Sequence, residues 1–102
     1  MVTFKDLEDN LKSFIIQEQS DAHNVKTLNT NKYNNLKLWI DASKTPEPHF
    51  CIRISISEAT FSIKDCTKIN GGVGYEERFI LKWFNRMGNK QKLSELWHLH
   101  KK

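Results

Sequence analysis

Pro46-Glu47-Pro48-His49-Phe50-Cys51-Ile52-Arg53-Ile54-Ser55-Ile56 is a proline-punctuated turn that runs straight into a strictly alternating segment. Successive side chains of a strand point to opposite faces, so Phe50, Ile52, Ile54 and Ile56 share one side and His49, Cys51 and Arg53 the other. A turn at Ser57-Glu58 sets Ala59, Phe61 and Ile63 opposite Ile56, Ile54 and Ile52, and the apolar sides of an antiparallel hairpin then coincide. Upstream, Leu36, Leu38 and Ile40 alternate with Lys37, Trp39 and Asp41, the period-two pattern of a half-buried strand. An open strand edge over residues 32–41 would pair between chains unless the polar segment before it covers it.

Helical spacing frames this β region on both sides. Thr3 followed by Asp6 has the form of an N-cap with an acidic third position, and Phe4, Leu7, Leu11, Phe14 and Ile15 recur at helical intervals, which predicts a helix over about residues 4–18. Residues 19–35 are rich in Asn, Thr and Ser and read as a long connection anchored by Val25, Leu28 and Tyr33, with a short edge strand at 25–28 as an option. Asn70-Gly71-Gly72-Val73-Gly74 reads as a loop and as the chain's best hinge. From Tyr75, the positions Phe79, Ile80, Trp83, Phe84 and Met87 predict an amphipathic helix ending at Gly88, a residue suited to the left-handed C-terminal position. A shorter stripe, Leu93, Leu96, Trp97 and His100, follows it, and the terminal His98, His100, Lys101 and Lys102 read either as a metal-catching end or as a frayed one, the second being favoured. The expected fold class is α+β: a small antiparallel sheet with a hairpin, covered on one face by an N-terminal and two C-terminal helices in a two-layer sandwich, as a single domain over 1–102.

With 102 residues, 38% apolar and 27% charged, the chain is large enough for one core and too hydrophobic for disorder. Its longest apolar runs fall far short of the roughly 20 residues that span a bilayer, and it opens on acidic and polar residues, so neither export nor membrane insertion is expected. Two cysteines without a disulfide framework fit reduced thiols in a cytoplasm. The net charge of +4 is concentrated at one end, since residues 75–102 hold seven basic and three acidic groups.

Leu36 to Ile40, Pro48-His49-Phe50, Ala59-Thr60-Phe61-Ser62-Ile63 and Leu93-Ser94-Glu95-Leu96-Trp97 together resemble a small bacterial domain family of unknown function. Its members carry a Pro-His-[Phe or Ile]-His-Val strand, then an alternating strand and a C-terminal helix ending in Trp. The resemblance covers about residues 33–98. Family members often sit in gene arrangements resembling toxin–antitoxin pairs, which implies a protein partner. The chain departs from the pattern where Cys51 stands for the second His, and in its N-terminal helix and Asn-rich segment.

Two groups of residues carry candidate chemistry. On the polar side of the sheet, His49, Cys51 and Arg53 align, with Lys37, Trp39 and Asp41 on the neighbouring strand. A His–Cys pair two apart suits a transition metal or a nucleophile–base couple, and Cys66 could join them in space. The alternative is that His49 hydrogen-bonds the turn while Cys51 is a small packed residue. The set lacks the three or four linked ligands of a zinc site, so no metal or cofactor is assigned. Trp39 among basic groups suits stacking of a base or anchoring of a protein, whereas Trp83 and Trp97 lie on core stripes. The second group is Arg78, Lys82 and Arg86, which recur every four residues and continue to Lys90 if the helix does. Such a row serves either as a solvated face or as a site for an acidic partner or phosphate backbone.

No catalytic constellation emerges, and the sequence reads as a binding protein sooner than an enzyme. The leading expectation is a cytoplasmic bacterial interaction module acting through the Lys37/Trp39/His49/Cys51/Arg53 face or the Arg78/Lys82/Arg86 row. The alternative is a nucleic-acid (RNA) binder, with or without RNA cleavage; in the cleaving version His49 acts as acid or base while Arg53 and Lys37 hold phosphate.

Overall fold

A computed structural model of the chain describes residues 3–23, 33–43, 46–86 and 88–100. Helix α1 (Phe4–His23) is followed by strands β1 (Lys37–Trp39), β2 (His49–Ile54), β3 (Ser57–Ser62) and β4 (Lys68–Gly71), a 3-10 turn at Gly74–Glu76, and helices α2 (Glu77–Phe84) and α3 (Asn89–His100). The strands form one antiparallel meander in the order β1-β2-β3-β4. With the helices packed on it, this is an α+β fold. The suggested strand at 25–28 and the helical position of Met87 lie outside the described residues.

Helix α1 starts where the sequence signals it. The Thr3 hydroxyl accepts from the Asp6 N–H and the Asp6 carboxylate accepts from the Thr3 N–H, at 3.1 and 3.2 Å, a reciprocal cap. Leu7, Leu11 and Ile15, spaced by four, are buried. The helix runs to His23, five residues past the expected end, because no Gly or Pro intervenes to stop it.

The hairpin differs in register. Ile54 pairs with Ser57, Ile52 with Ala59 and Phe50 with Phe61, so the turn is Ser55-Ile56 and not Ser57-Glu58. The slip is even, so every apolar residue of the paired strands keeps its face. It sets the small Ala59 across from Ile52 and stacks the Phe50 and Phe61 rings at 5.5 Å. The cost falls at the tip. Ile56, expected on the core side, is 89% exposed, and Ser55 takes a φ of 58°. A positive φ at the first loop residue alone is the sign pattern of a type II′ turn, which favours Gly there.

Strand β4 replaces part of the expected glycine loop. All four of its residues are exposed, so no apolar alternation marks it in the sequence. It forms because β3 offers a free ladder, and Ile69 is the extra residue of a bulge between the Thr60–Asn70 and Phe61–Lys68 pairs. Gly71 is required there: its φ is +72° and a Cβ would lie 2.2 Å from the Glu58 carbonyl oxygen. Beyond it, Gly72 N–H donates to the Glu58 oxygen and Val73 N–H to the Glu77 carboxylate, so the segment is tied and not an open hinge. At the opposite edge, the Glu8 carboxylate of α1 accepts from the Leu38 N–H at 3.0 Å, so a helix side chain occupies an outward donor of β1.

Helix α2 ends earlier than expected, at Phe84. The buried Asn89 side chain donates to the Trp83 carbonyl at 2.7 Å, and the Arg86 N–H donates to the same oxygen at 3.0 Å. Gly88, at φ 89°, then turns the chain into α3. His98 and His100 belong to the last turn of α3 instead of a frayed end, and the His100 ring lies 4.7 Å from that of Phe4; Lys101 and Lys102 lie outside the described residues.

Two substitutions test the turn geometry. Gly71→Ala forces a Cβ into a backbone carbonyl at positive φ and should cost at least about 2 kcal/mol. Ser55→Gly relieves a positive φ and should add about 0.5–1 kcal/mol. Urea unfolding of the two variants against wild type measures both shifts.

Candidate functional site

The sheet register brings most of the predicted polar face together. Lys37 of β1 pairs with Arg53 of β2, and Trp39 with Cys51, so all four side chains share one side. Their environments divide them into an accessible group and a buried one. Lys37 and Arg53 are exposed and Trp39 is half-buried. With Glu8, Leu38 and Glu58 they line a shallow depression of about 340 Å³. Glu58 is the cross-strand partner of Arg53, and Glu8 arrives from α1 with its carboxylate on the β1 backbone. The two acidic residues were not among the sequence candidates, because one comes from a distant helix and the other from the far arm of the hairpin. Arg53 Nε donates to the Ser55 carbonyl at 3.3 Å, which holds its side chain along the hairpin.

Cys51 and His49 are buried on this same side of β2. Cys51 sits between Trp39 and Thr60 in the register, and its Sγ lies 3.6 Å from the Thr60 hydroxyl. His49 is 0% exposed. Its Nδ1 lies 2.7 Å from the Glu47 carbonyl oxygen and its Nε2 2.8 Å from the Asp41 carbonyl oxygen. Its ring lies 5.1 Å from that of Trp97. Both nitrogens are thus engaged by the chain itself, and neither is presented to a substrate. This is the turn-bonding arrangement weighed against catalysis from the sequence.

Cys66 belongs to the apolar core cluster instead of joining His49 and Cys51. Both thiols are free and buried. Burial, and then the negative charge of Asp65, push the Cys66 thiol up to about 12, the opposite of what a nucleophile or metal ligand needs. Among the described residues no group of three His, Cys, Asp or Glu side chains is placed to hold a metal ion.

The basic row is interrupted. Only Arg78 and Lys82 of the expected helical row stand on α2, which ends at Phe84; Arg86 lies in the turn that follows, and Lys90 lies on α3 beyond Gly88. Lys82 Nζ is 3.1 Å from the Glu18 carboxylate of α1. The Arg86 guanidinium lies 4.8 Å from the centre of the Phe14 ring, also on α1. Two of the three predicted cations therefore contact a neighbouring helix, and all three remain exposed.

A second concavity, of about 420 Å³, was not anticipated. Ala42, Pro46 and Pro48 from the β1–β2 connection, Ile63 after β3, and Ser94, Trp97 and His98 of α3 line it. Its residues are scattered over half the chain, so no local motif announces it. Among the described residues no helix is long and apolar enough to cross a membrane. Comparison of the chain with protein-family models, curated proteins and solved structures returned no match.

The thiols give a direct check on this division. A soluble aromatic disulfide reagent should label neither Cys51 nor Cys66 in the native protein and both in urea. Between about pH 9, where unfolded chains release the thiol proton, and about pH 12, the folded chain binds one proton more at Cys66. Stability should therefore fall as pH rises past about 9, less steeply in Cys66→Ala, as followed by urea midpoints at each pH.

Proposed function

We propose that the protein is a non-catalytic interaction module, a small cytoplasmic bacterial component that binds a protein partner through the Lys37/Trp39/Arg53 face. The observation that carries this reading is the composition of that face: one half-buried tryptophan rimmed by Lys37 and Arg53 on one side of the charge balance and Glu8 and Glu58 on the other. An aromatic anchor inside a polar rim of both signs is the anatomy of a protein–protein contact. A phosphate backbone selects a surface of one sign, and the acidic pair beside Trp39 opposes that. The enclosure of His49 and of both thiols supports a binding role over a catalytic one. The resemblance to domains found in toxin–antitoxin-like pairs supports a dedicated small partner.

The competing reading, RNA binding with or without cleavage, draws on the basic excess of residues 75–102. Its acid–base residue is engaged by two backbone carbonyls, and two of its cations, Lys82 and Arg86, contact α1 while remaining exposed.

Capture from lysate of the source cell, with and without nuclease, separates the two. Wild type should retain a protein regardless of nuclease, and Trp39→Ala should lose it at least about tenfold, the equivalent of about 1.4 kcal/mol. Recovery of nucleic acid alone, abolished in an Arg78→Ala/Arg86→Ala double variant, would replace this reading with the RNA one. Equal recovery of the protein partner by Trp39→Ala would remove the Trp39 face as the site.

A further inference from the structure

Asn70-Gly71 is the one Asn-Gly step among the nine asparagines of the chain. The carboxamide carbon of an asparagine and the amide nitrogen of the next residue are the ends of a potential five-membered ring, and a Cβ on that next residue crowds the closure. Glycine has none. The fold keeps glycine at this step, because Gly71 takes a φ of +72° and a Cβ there would collide with the Glu58 carbonyl.

Three features of β4 bear on the ring closure. The Gly72 N–H donates to the Glu58 carbonyl of β3 at 2.8 Å, so the alternation of the ladder turns the Gly71 N–H away from β3. It donates instead to Asn70 Oδ1 at 2.8 Å. That contact folds the carboxamide back over the nitrogen: Cγ stands one C=O bond, about 1.23 Å, from Oδ1, and so no more than about 4 Å from the Gly71 nitrogen. Next, Asn70 and Gly71 are exposed and, with Glu58, Ala59 and Thr60, line a concavity of about 120 Å³ that admits water. Last, β4 is a four-residue edge strand that pairs with β3 alone and is bulged at Ile69. The local opening that lets Asn70 turn into line for attack is least costly in such a strand.

We propose that Asn70 is a self-modification site, converted through a succinimide to aspartate and isoaspartate by attack of the Gly71 amide nitrogen. Hydroxide takes the Gly71 amide proton, and the nitrogen adds to Asn70 Cγ, the carbonyl electron pair moving to Oδ1. Collapse of the tetrahedral centre breaks the Cγ–Nδ2 bond, and Nδ2 leaves as ammonia with a proton from water. Water then opens the ring at either carbonyl, giving aspartate when the bond to Cγ breaks and isoaspartate when the bond to the main-chain carbonyl carbon breaks. The net change consumes one water and releases one ammonia, with no oxidant or reductant. Isoaspartate places Cβ in the main chain, which lengthens β4 between the Thr60–Asn70 and Ala59–Gly71 pairs. The bonds beyond that point, from Gly72 N–H to Glu58 and from Val73 N–H to the Glu77 carboxylate, lose their register. Neither Trp39 nor a partner enters this inference.

Peptide mapping of wild-type protein, held native at physiological temperature and mildly alkaline pH, tests it. Trypsin cuts after Lys68 and Arg78, and fragment 69–78 contains no other asparagine. This fragment should gain one mass unit and include an isoaspartyl form that an isoaspartyl methyltransferase labels. Asn34, exposed and followed by Asn35 in fragment 33–37, should convert at least about tenfold more slowly, because the next residue carries a Cβ. Conversion of Asn70 in the native protein should run within about threefold of that in guanidinium chloride, since edge-strand opening is nearly free. A native rate below that limit, or a mass gain without isoaspartate, would overturn the site. In the purified isoaspartyl form the Gly72 and Val73 amides should lose hydrogen-exchange protection at least about tenfold relative to those of β2. Unchanged protection there would overturn the loosening of β4.

Discussion

Phe50 is the contact on which the two layers of this protein converge. Its ring stacks on Phe61 of the neighbouring strand at 5.5 Å and lies within 6.1 and 6.4 Å of Phe84 and Trp83 on α2. The position is completely buried, and such aromatic clusters add to the transfer free energy of each ring. The β2–β3 register and the seating of α2 are therefore two views of one packing solution. It accounts for the choice of a two-residue turn at Ser55-Ile56, where an exposed isoleucine and a positive φ are accepted at the tip so that Phe50 can meet Phe61 in the core.

Around this cluster, long-range polar bonds fix how the helices lie. The buried Trp83 indole donates to Asn10 of α1 at 2.8 Å, and Lys82 and Arg86 reach the same helix at Glu18 and Phe14. The Tyr33 hydroxyl, fully buried, donates to the buried Glu76 at 2.9 Å, joining the approach to β1 to the approach to α2. Among the described residues no buried side-chain nitrogen or oxygen lacks a partner. A buried polar group without one would cost about 1–3 kcal/mol, so these bonds select one helix arrangement among those that would bury the same apolar stripes.

The same accounting separates residues that look alike in sequence. Lys37, Trp39 and Arg53 alternate with core residues and remain accessible; His49 and Cys51 follow the same alternation and are enclosed. Strand periodicity assigns a face, not an exposure. Exposure depends on what neighbouring elements lay over each end of that face. Near His49 these are the β1–β2 connection and Trp97, whereas Arg53 lies between Lys37 of β1 and Glu58 of β3 and stays exposed.

Local chemistry in the chain was enough to determine the α+β class, the Thr3–Asp6 cap, the core faces of α1, β2 and β3, and the left-handed Gly88, because each depends on residues within a few positions of one another. The Lys37–Trp39–Arg53 grouping was legible for the same reason, two alternating segments having one sensible facing. The hairpin register, strand β4, the early end of α2 and the burial of His49 were decided by tertiary structure. An even slip leaves the alternation unchanged, an exposed edge strand has no apolar pattern to show, and the Asn89 amide that closes α2 acts across a turn. His49 meets its two carbonyls only when the β1–β2 connection folds back on β2, a closure set by packing between segments that no local pattern of residue types encodes.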